Sequence, residues 1–286
     1  MIYQPIKWAS LLGVLGLPAC GGGGTIGPTN YQTFDSTVAA TNTIGGDVLQ
    51  SNGTNGLLRT KVLTGNFQHD TGAIIVADGT FTMSDQNGFD ANGLLTKGAA
   101  RLQTGPAAGF AGNYAFARPF TQTYAVSGDA YNGTGILGLE TSASDMPRTD
   151  TATYQGEAEA IVARNGDGFD LIDGKSTVVA NFDDGRVNIT LSDFTTINES
   201  TGATVTGPLD TILISDARIT GNTFKSTEIE TRLDGSVVDI VGGSALAATA
   251  GTFFGITSDL TQPDEVGGVL IVEGDNGLIT GAFVAD

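Results

Sequence analysis

The chain has 286 residues, 40% of them hydrophobic and only 15% charged, with 42 glycines. Its 31 acidic residues outnumber its 13 basic ones, giving a formal net charge of −18 and a pI near 4.1. So acidic a surface repels phosphate backbones and excludes nucleic acid as a partner. The glycine content, without a collagen period, points to a chain built on tight turns.

Residues 1–19 read as a signal peptide. Lys7 is the one charge ahead of an apolar stretch from Trp8 to Leu17. That stretch is about ten residues long, half of the roughly twenty that cross a bilayer as a helix. Leu17-Pro18-Ala19-Cys20 follows, and Cys20 is the single cysteine, without a partner for a disulfide in the chain. The tetrapeptide resembles the lipobox of bacterial lipoproteins, with Leu three places before the cysteine and a small residue directly before it. The resemblance implies cleavage ahead of Cys20, lipidation of its thiol and a lipid bilayer as a partner. Each buried CH₂ of an acyl chain contributes about 0.8 kcal/mol of membrane affinity, so several chains anchor a folded domain. Gly21 in place of Asp implies the outer membrane. Residues 20–30 then form the lipidated cysteine and a glycine-rich tether without a preferred shape.

After residue 30 no sustained apolar i, i+3, i+4 pattern occurs, and strand signals dominate. Asn-Gly and Asp-Gly dipeptides separate apolar runs, as in VADGTF, NFDDGRV, RLDGSV and EGDNGL. These pairs accept the positive φ of two-residue hairpin turns. Within residues 31–146 the extended runs are LLRTKVLTGNF, GAIIVADGTFTM, GLLTKGAARLQ, GNYAFARPFTQTYAV and GTGILGLET. They predict a smaller β-sheet domain.

Residues 147–286 carry clearer alternation. In 151–162, Ala152, Tyr154, Gly156, Ala158, Ala160 and Val162 share one face; Thr151, Thr153, Gln155, Glu157, Glu159 and Ile161 share the other. Val187, Ile189 and Leu191 alternate with Asn188, Thr190 and Ser192, and Phe194 breaks the phase, which places a bulge or strand end near Asp193. Such runs predict strands at 151–163, 171–182, 185–194, 210–220, 223–232, 246–255, 266–273 and 278–285. Segment 235–246 is open between a short strand and a helical turn. The fold class expected is all-β: an eight-stranded antiparallel β-barrel, which fills with its own side chains and leaves no open edge, preceded by the smaller sheet.

The end of the chain reads GTFFG at 251–255, PDEVGGVLIV at 263–272 and GLITGAFVAD at 277–286, with ITGNTF at 219–224. This pattern resembles the barrel domain of transferrin-binding protein B and related bacterial surface lipoproteins, where a G-x-F-x-G strand precedes an acidic residue and Gly-Gly. The resemblance covers about residues 147–286. It implies a single barrel, a handle-like sheet at 31–146 and surface display; a protein ligand and an outer-membrane receptor are the partners it suggests. It does not carry transferrin recognition, which depends on loops with no counterpart motif here. Gly251, Gly255, Gly267, Gly268 and Gly281 are read as sites of sharp bending or close strand approach, and Phe253, Phe254 and Phe283 as core residues.

Chemistry-bearing groups are sparse. His69 is the only histidine, and Asp70 beside it points to the opposite face of a strand, so the pair reads as a solvated turn rather than part of a triad. Asp167, Asp170 and Asp173 fall at spacing three, which misses the alternate acidic positions of a calcium loop. Glu157 and Glu159 read as carboxylates on a solvated barrel exterior. The expectation is a non-enzymatic binding protein, without catalytic residues, metal or cofactor, for a host or environmental macromolecule or an iron source. The alternative is a structural envelope lipoprotein without a specific ligand.

Overall fold

The computed structural model describes residues 41–52, 59–68, 73–77, 82–85, 90, 92–97, 100–126, 129–164, 168–198, 201–255 and 261–286. Its N-terminal sheet contains β1 (Thr41–Asn52), β2 (Arg59–Gln68), β3 (Ala73–Ala77), β4 (Thr82–Asp85), β5 (Leu94–Lys97), β6 (Ala100–Thr104), β7 (Ala117–Val126) and β8 (Asp129–Leu139). The eight strands lie in the order β4-β3-β2-β1-β8-β7-β6-β5, every neighbour antiparallel. β1 and β8 meet in the middle, while the edge strands β4 and β5 approach one another. A single 3₁₀ turn, Gly105–Ala108, precedes β7.

The second sheet closes. Its strands are β9 (Thr151–Arg164), β10 (Gly168–Asn181), β11 (Arg186–Asn198), β12 (Ala203–Val205), β13 (Thr211–Thr220), β14 (Thr223–Ser226), β15 (Glu228–Leu233), β16 (Ser236–Val237), β17 (Ser244–Phe254), β18 (Glu265–Gly274) and β19 (Gly277–Ala285). The order is β12-β11-β10-β9-β19-β18-β17-β14-β13-β15-β16, and β11 also pairs with β13, which joins the ends into a barrel. β14 and β15 are two halves of the run expected at 223–232; counting them as one and setting aside the short outlying β12 and β16 gives an eight-stranded wall. The other seven expected strands stand within a few residues of their predicted bounds. Segment 235–246 resolves into the two-residue β16, a loop and the first residues of β17.

Side-chain alternation sets what fills the cylinder. On β9, Ala152, Tyr154, Ala158, Ala160 and Val162 are buried, while Thr151, Thr153, Gln155 and Ile161 are exposed. Apolar residues inside and polar residues outside are the inverse of a lipid-facing barrel. One end is plugged by aromatics: the Phe253 ring lies 5.6 Å from Phe224, 5.7 Å from Phe182 and 6.4 Å from Tyr154, all tilted or edge-on. Gly251 makes room there, since a Cβ on it would stand 2.2 Å from Cζ of Phe224.

Bulges and turns follow the acidic residues. Asp193 has φ +56° and Asp216 φ +53°, and the β10–β11 and β11–β13 registers slip beside them. The phase break at Phe194 is therefore a bulge, with the strand continuing to Asn198. Asp234 and Gly235, at φ +51° and +75°, make the two-residue hairpin turn between β15 and β16.

A second core lies between the sheets. The outward faces of β17, β18 and β19 contribute Ala250, Phe254, Val269, Ile271, Ala282 and Val284, and the N-terminal sheet covers them with Ala108, Phe110, Tyr114, Ala117 and Ile136. Phe253 and Phe283 belong to the barrel interior, whereas Phe254 belongs to this outer core. Backbone bonds staple the same seam: Glu140 bridges Phe254, the Thr141 amide donates to Phe253 O and the Gly255 amide donates to Leu139 O, both at 2.9 Å.

Candidate functional site

Two barrel carboxylates hold the segment that leads into β7. Glu265 opens β18 and is 4% exposed. It accepts the amides of Ala115 at 2.5 Å, Phe116 at 3.0 Å and Ala117 at 2.6 Å. Three successive amides form a nest for an anion. Burial raises the carboxyl while these amides and the Arg118 charge lower it; burial wins, and the group is pushed up to about 6. The Arg118 guanidinium in turn donates to the carbonyls of Tyr114 and Ala117. Glu157, on the outward face of β9, accepts the amides of Gly112 at 2.8 Å and Ala111 at 3.3 Å and the Tyr114 hydroxyl at 3.4 Å. Burial and the Glu157 charge push the Tyr114 phenol above its ordinary range. Glu157 is thus not a solvated exterior carboxylate: a segment some forty residues earlier in the chain covers it, a contact that local alternation does not encode.

A groove interrupts the barrel wall. The β14–β17 ladder runs from the Thr223–Thr252 pair to Ser226–Thr249 and stops. β15 then pairs with β13 and β16 instead, and a groove of about 1170 Å³ opens beside it, lined by Lys225, Glu228, Ile229, Ala248, Val272 and Ile279 among others. The loop after β16 bounds it: the Asp239 carboxylate accepts the amides of Gly242 and Gly243, and Val241 enters the barrel core.

The remaining sequence candidates separate. Cys20, the tether, His69, Asp70 and Asp167 lie outside the described residues. Asp170 is buried, paired with Arg164 at 2.8 Å and taking the Asn198 amide group at 3.3 Å. Asp173 is half-buried, and burial raises its carboxyl. The structure therefore spends Asp170 on an ion pair. Glu159 neighbours Gly109 of the covering segment. Among the described residues, no three His, Cys, Asp or Glu side chains are grouped to hold a metal ion. Glu265 is the clamp residue that strand alternation passes over; its signal is its place directly before Val266-Gly267-Gly268, where a Cβ on Gly267 would stand 2.7 Å from Ile136 of the covering sheet.

Residues 146–286 match the family model for the C-lobe and N-lobe β-barrels of transferrin-binding protein B. A variant of the vaccine antigen transferrin-binding protein B from Haemophilus parasuis Hp5 shares the fold with a TM-score of 0.53 at 20% identity, over 85% of this chain and 44% of that one. The isotype 1 transferrin-binding protein B of serogroup B Neisseria meningitidis gives 0.51 at 17% identity, over 84% and 43%. The chain thus spans less than half the length of either protein. No curated protein matches it. Residues 146–286 thus match the family of transferrin-binding protein B β-barrel lobes, and the solved structures share the fold.

Proposed function

We propose that this chain is a non-enzymatic lipoprotein, anchored in the outer membrane through Cys20 and displayed at the surface, that binds a macromolecular ligand. An iron-carrying host protein is the first class to try, because the relatives are named for binding transferrin. The observation that carries the reading is the barrel itself. Its interior is packed by its own side chains, Tyr154, Phe253 and Val162 among them, and opens at the groove that Val272 and Ile279 line. Recognition therefore belongs to the exterior, and the carboxylate clamps at Glu157 and Glu265 give that exterior a fixed shape across two sheets. Leu17-Pro18-Ala19-Cys20 and the glycine-rich stretch after it support the anchor.

Three measurements test it. Protease shaving of intact cells should release the chain, Cys20→Ala should free it from membranes, and immobilised transferrin should retain the purified chain. A Cys20→Ala variant that stays membrane-bound and acyl-labelled refutes the anchor. A chain that resists shaving and binds no iron carrier refutes surface nutrient capture and favours the structural lipoprotein.

A further inference from the structure

Three of the few cations in this acidic chain stand in one line. Arg186 on β11 is directly opposite Arg218 on β13, and Arg218 is directly opposite Lys225 on β14. Val187, Ala217 and Phe224 beside them point into the core, so all three cations face outward. Arg218 and Lys225 are exposed. Cross-strand neighbours sit about 5 Å apart, and like charges placed so are destabilising. The ion pairs Arg164–Asp170, Lys175–Asp193 and Arg232–Glu230 all lie away from this row. Arg186 donates to the backbone carbonyl of Asp216 at 3.0 Å. A chain with 31 acidic and 13 basic residues thus concentrates repulsion where alternation required only polar side chains.

The row ends at the groove, which both Arg186 and Lys225 line. The groove also offers backbone. The Thr231 carbonyl accepts the Val238 amide on the side away from β13, while the Arg232 carbonyl accepts the Asp210 amide on the β13 side. Ile229, two residues before Thr231, therefore turns its N–H and C=O away from β13, towards the groove. By the same alternation the Phe253 amide donates to Asn222 O, so Ala247 turns its backbone to the groove from β17. No ladder joins Ile229 and Ala247. Ile229, Ala248, Val272 and Ile279 supply apolar lining; of the acidic lining residues, Asp216 lies beside the basic row, while Glu228, Glu230 and Asp239 also line the groove.

We propose that the Arg186–Arg218–Lys225 row and the adjoining groove form a docking surface for an extended segment of a protein partner, acidic at the end that meets the row and apolar beyond it. The inference rests on the binding reading above and supplies the chemistry of the partner. Charge complementarity selects the occupant. A bilayer surface or a long polyanion brings negative charge against the whole of a chain at −18, whereas a short acidic segment meets only the cations. The unfinished strand edges suit an extended backbone.

The test uses the full chain and a short fluorescent peptide with an acidic first half and an alternating Val-Thr second half, followed by anisotropy. A control peptide carries Lys in place of the acidic residues, and vesicles of anionic phospholipid form a third arm. The acidic peptide should bind, the control should not, and Arg218→Glu or Lys225→Glu should weaken binding about tenfold or more, as should added salt. Arg218→Gln, which relieves repulsion, should melt no lower than the parent and so separates lost docking from lost folding. Equal binding of both peptides, or acidic-peptide binding indifferent to the double variant R218E/K225E, overturns the proposal. Vesicle binding that depends on the row, without peptide binding, assigns it to lipid headgroups instead. Either result leaves shaving and transferrin retention to decide the broader function.

Discussion

The carboxylate of Glu265 accepts the amide of Ala117 at 2.6 Å, joining residues 148 positions apart. One belongs to the barrel and the other opens β7 of the N-terminal sheet. Together with the Ala115 and Phe116 amides, this contact commits three donors, one buried and two half-buried, to one acceptor group. Glu265→Ala should leave those donors unpaired and cost about 3 kcal/mol or more, read from urea denaturation. Hydrogen exchange at Ala115, Phe116 and Ala117 should accelerate, while exchange in the distant β10–β11 ladder should follow only global stability. Unchanged protection at those amides would show that the clamp does not hold the seam.

Acidity acts on the same group, with a definite sign. Burial lifts Glu265 from its ordinary 4.5 to about 6, so the folded chain holds this proton more tightly than the unfolded chain. Its stabilising contribution is complete below pH 4.5 and is lost as pH rises through 6. Between pH 7 and 5 it should add about 1 kcal/mol. Glu265→Gln removes this part of the pH dependence, while other carboxylates, half-buried Asp173 among them, titrate in both proteins. Parallel stability-against-pH curves for parent and variant would refute the assignment.

Space rather than conformation fixes Gly251. A Cβ there meets the Phe224 ring inside the barrel, and overpacking costs about 1–3 kcal/mol. Gly251→Ala should therefore melt lower. Gly185 has φ +62° and open space around it, so Gly185→Asn, whose side chain tolerates that region, should shift stability by less than about 1 kcal/mol. Similar losses at both sites would contradict the packing argument.

Tyr154 contributes its ring to the aromatic plug, but its hydroxyl is buried without a hydrogen-bond partner. Burial and the Asp264 charge push the phenol above its ordinary range. Tyr154→Phe keeps the ring contacts and drops the unmatched hydroxyl, so stability should hold or rise, by about 1 kcal/mol. A large loss in denaturant melts would mean the hydroxyl is bonded in solution.

The barrel was legible because its signals are local. A period of two over 151–162, Asp-Gly turns at 184–185 and 234–235 and the phase break at Phe194 each need only neighbouring residues to be understood. The division of 223–233 into β14 and β15 was not legible, because it depends on which neighbour each half finds across the wall. Glu157 and Glu265 show the same limit. Their partners lie in residues 111–117, and nothing within either strand announces a covering segment. The cation row is spread over three strands at 186, 218 and 225, and only register brings it together. In residues 31–146 the extended runs coincide with β2 to β8, yet β1 went unseen, although it sits at the centre of its sheet.

The order of pairing around the cylinder has a temporal side. β9 is the first barrel strand in the chain and β19 the last, yet they lie side by side, paired from Gly277–Arg164 to Ala285–Gly156. A ribosome or a translocation pore that delivers the chain from its N-terminus withholds β19 until every other stave has emerged. Until then β9 keeps one flank bare and the hoop stays unsealed. The architecture thus delays its own completion for as long as its last strand is missing.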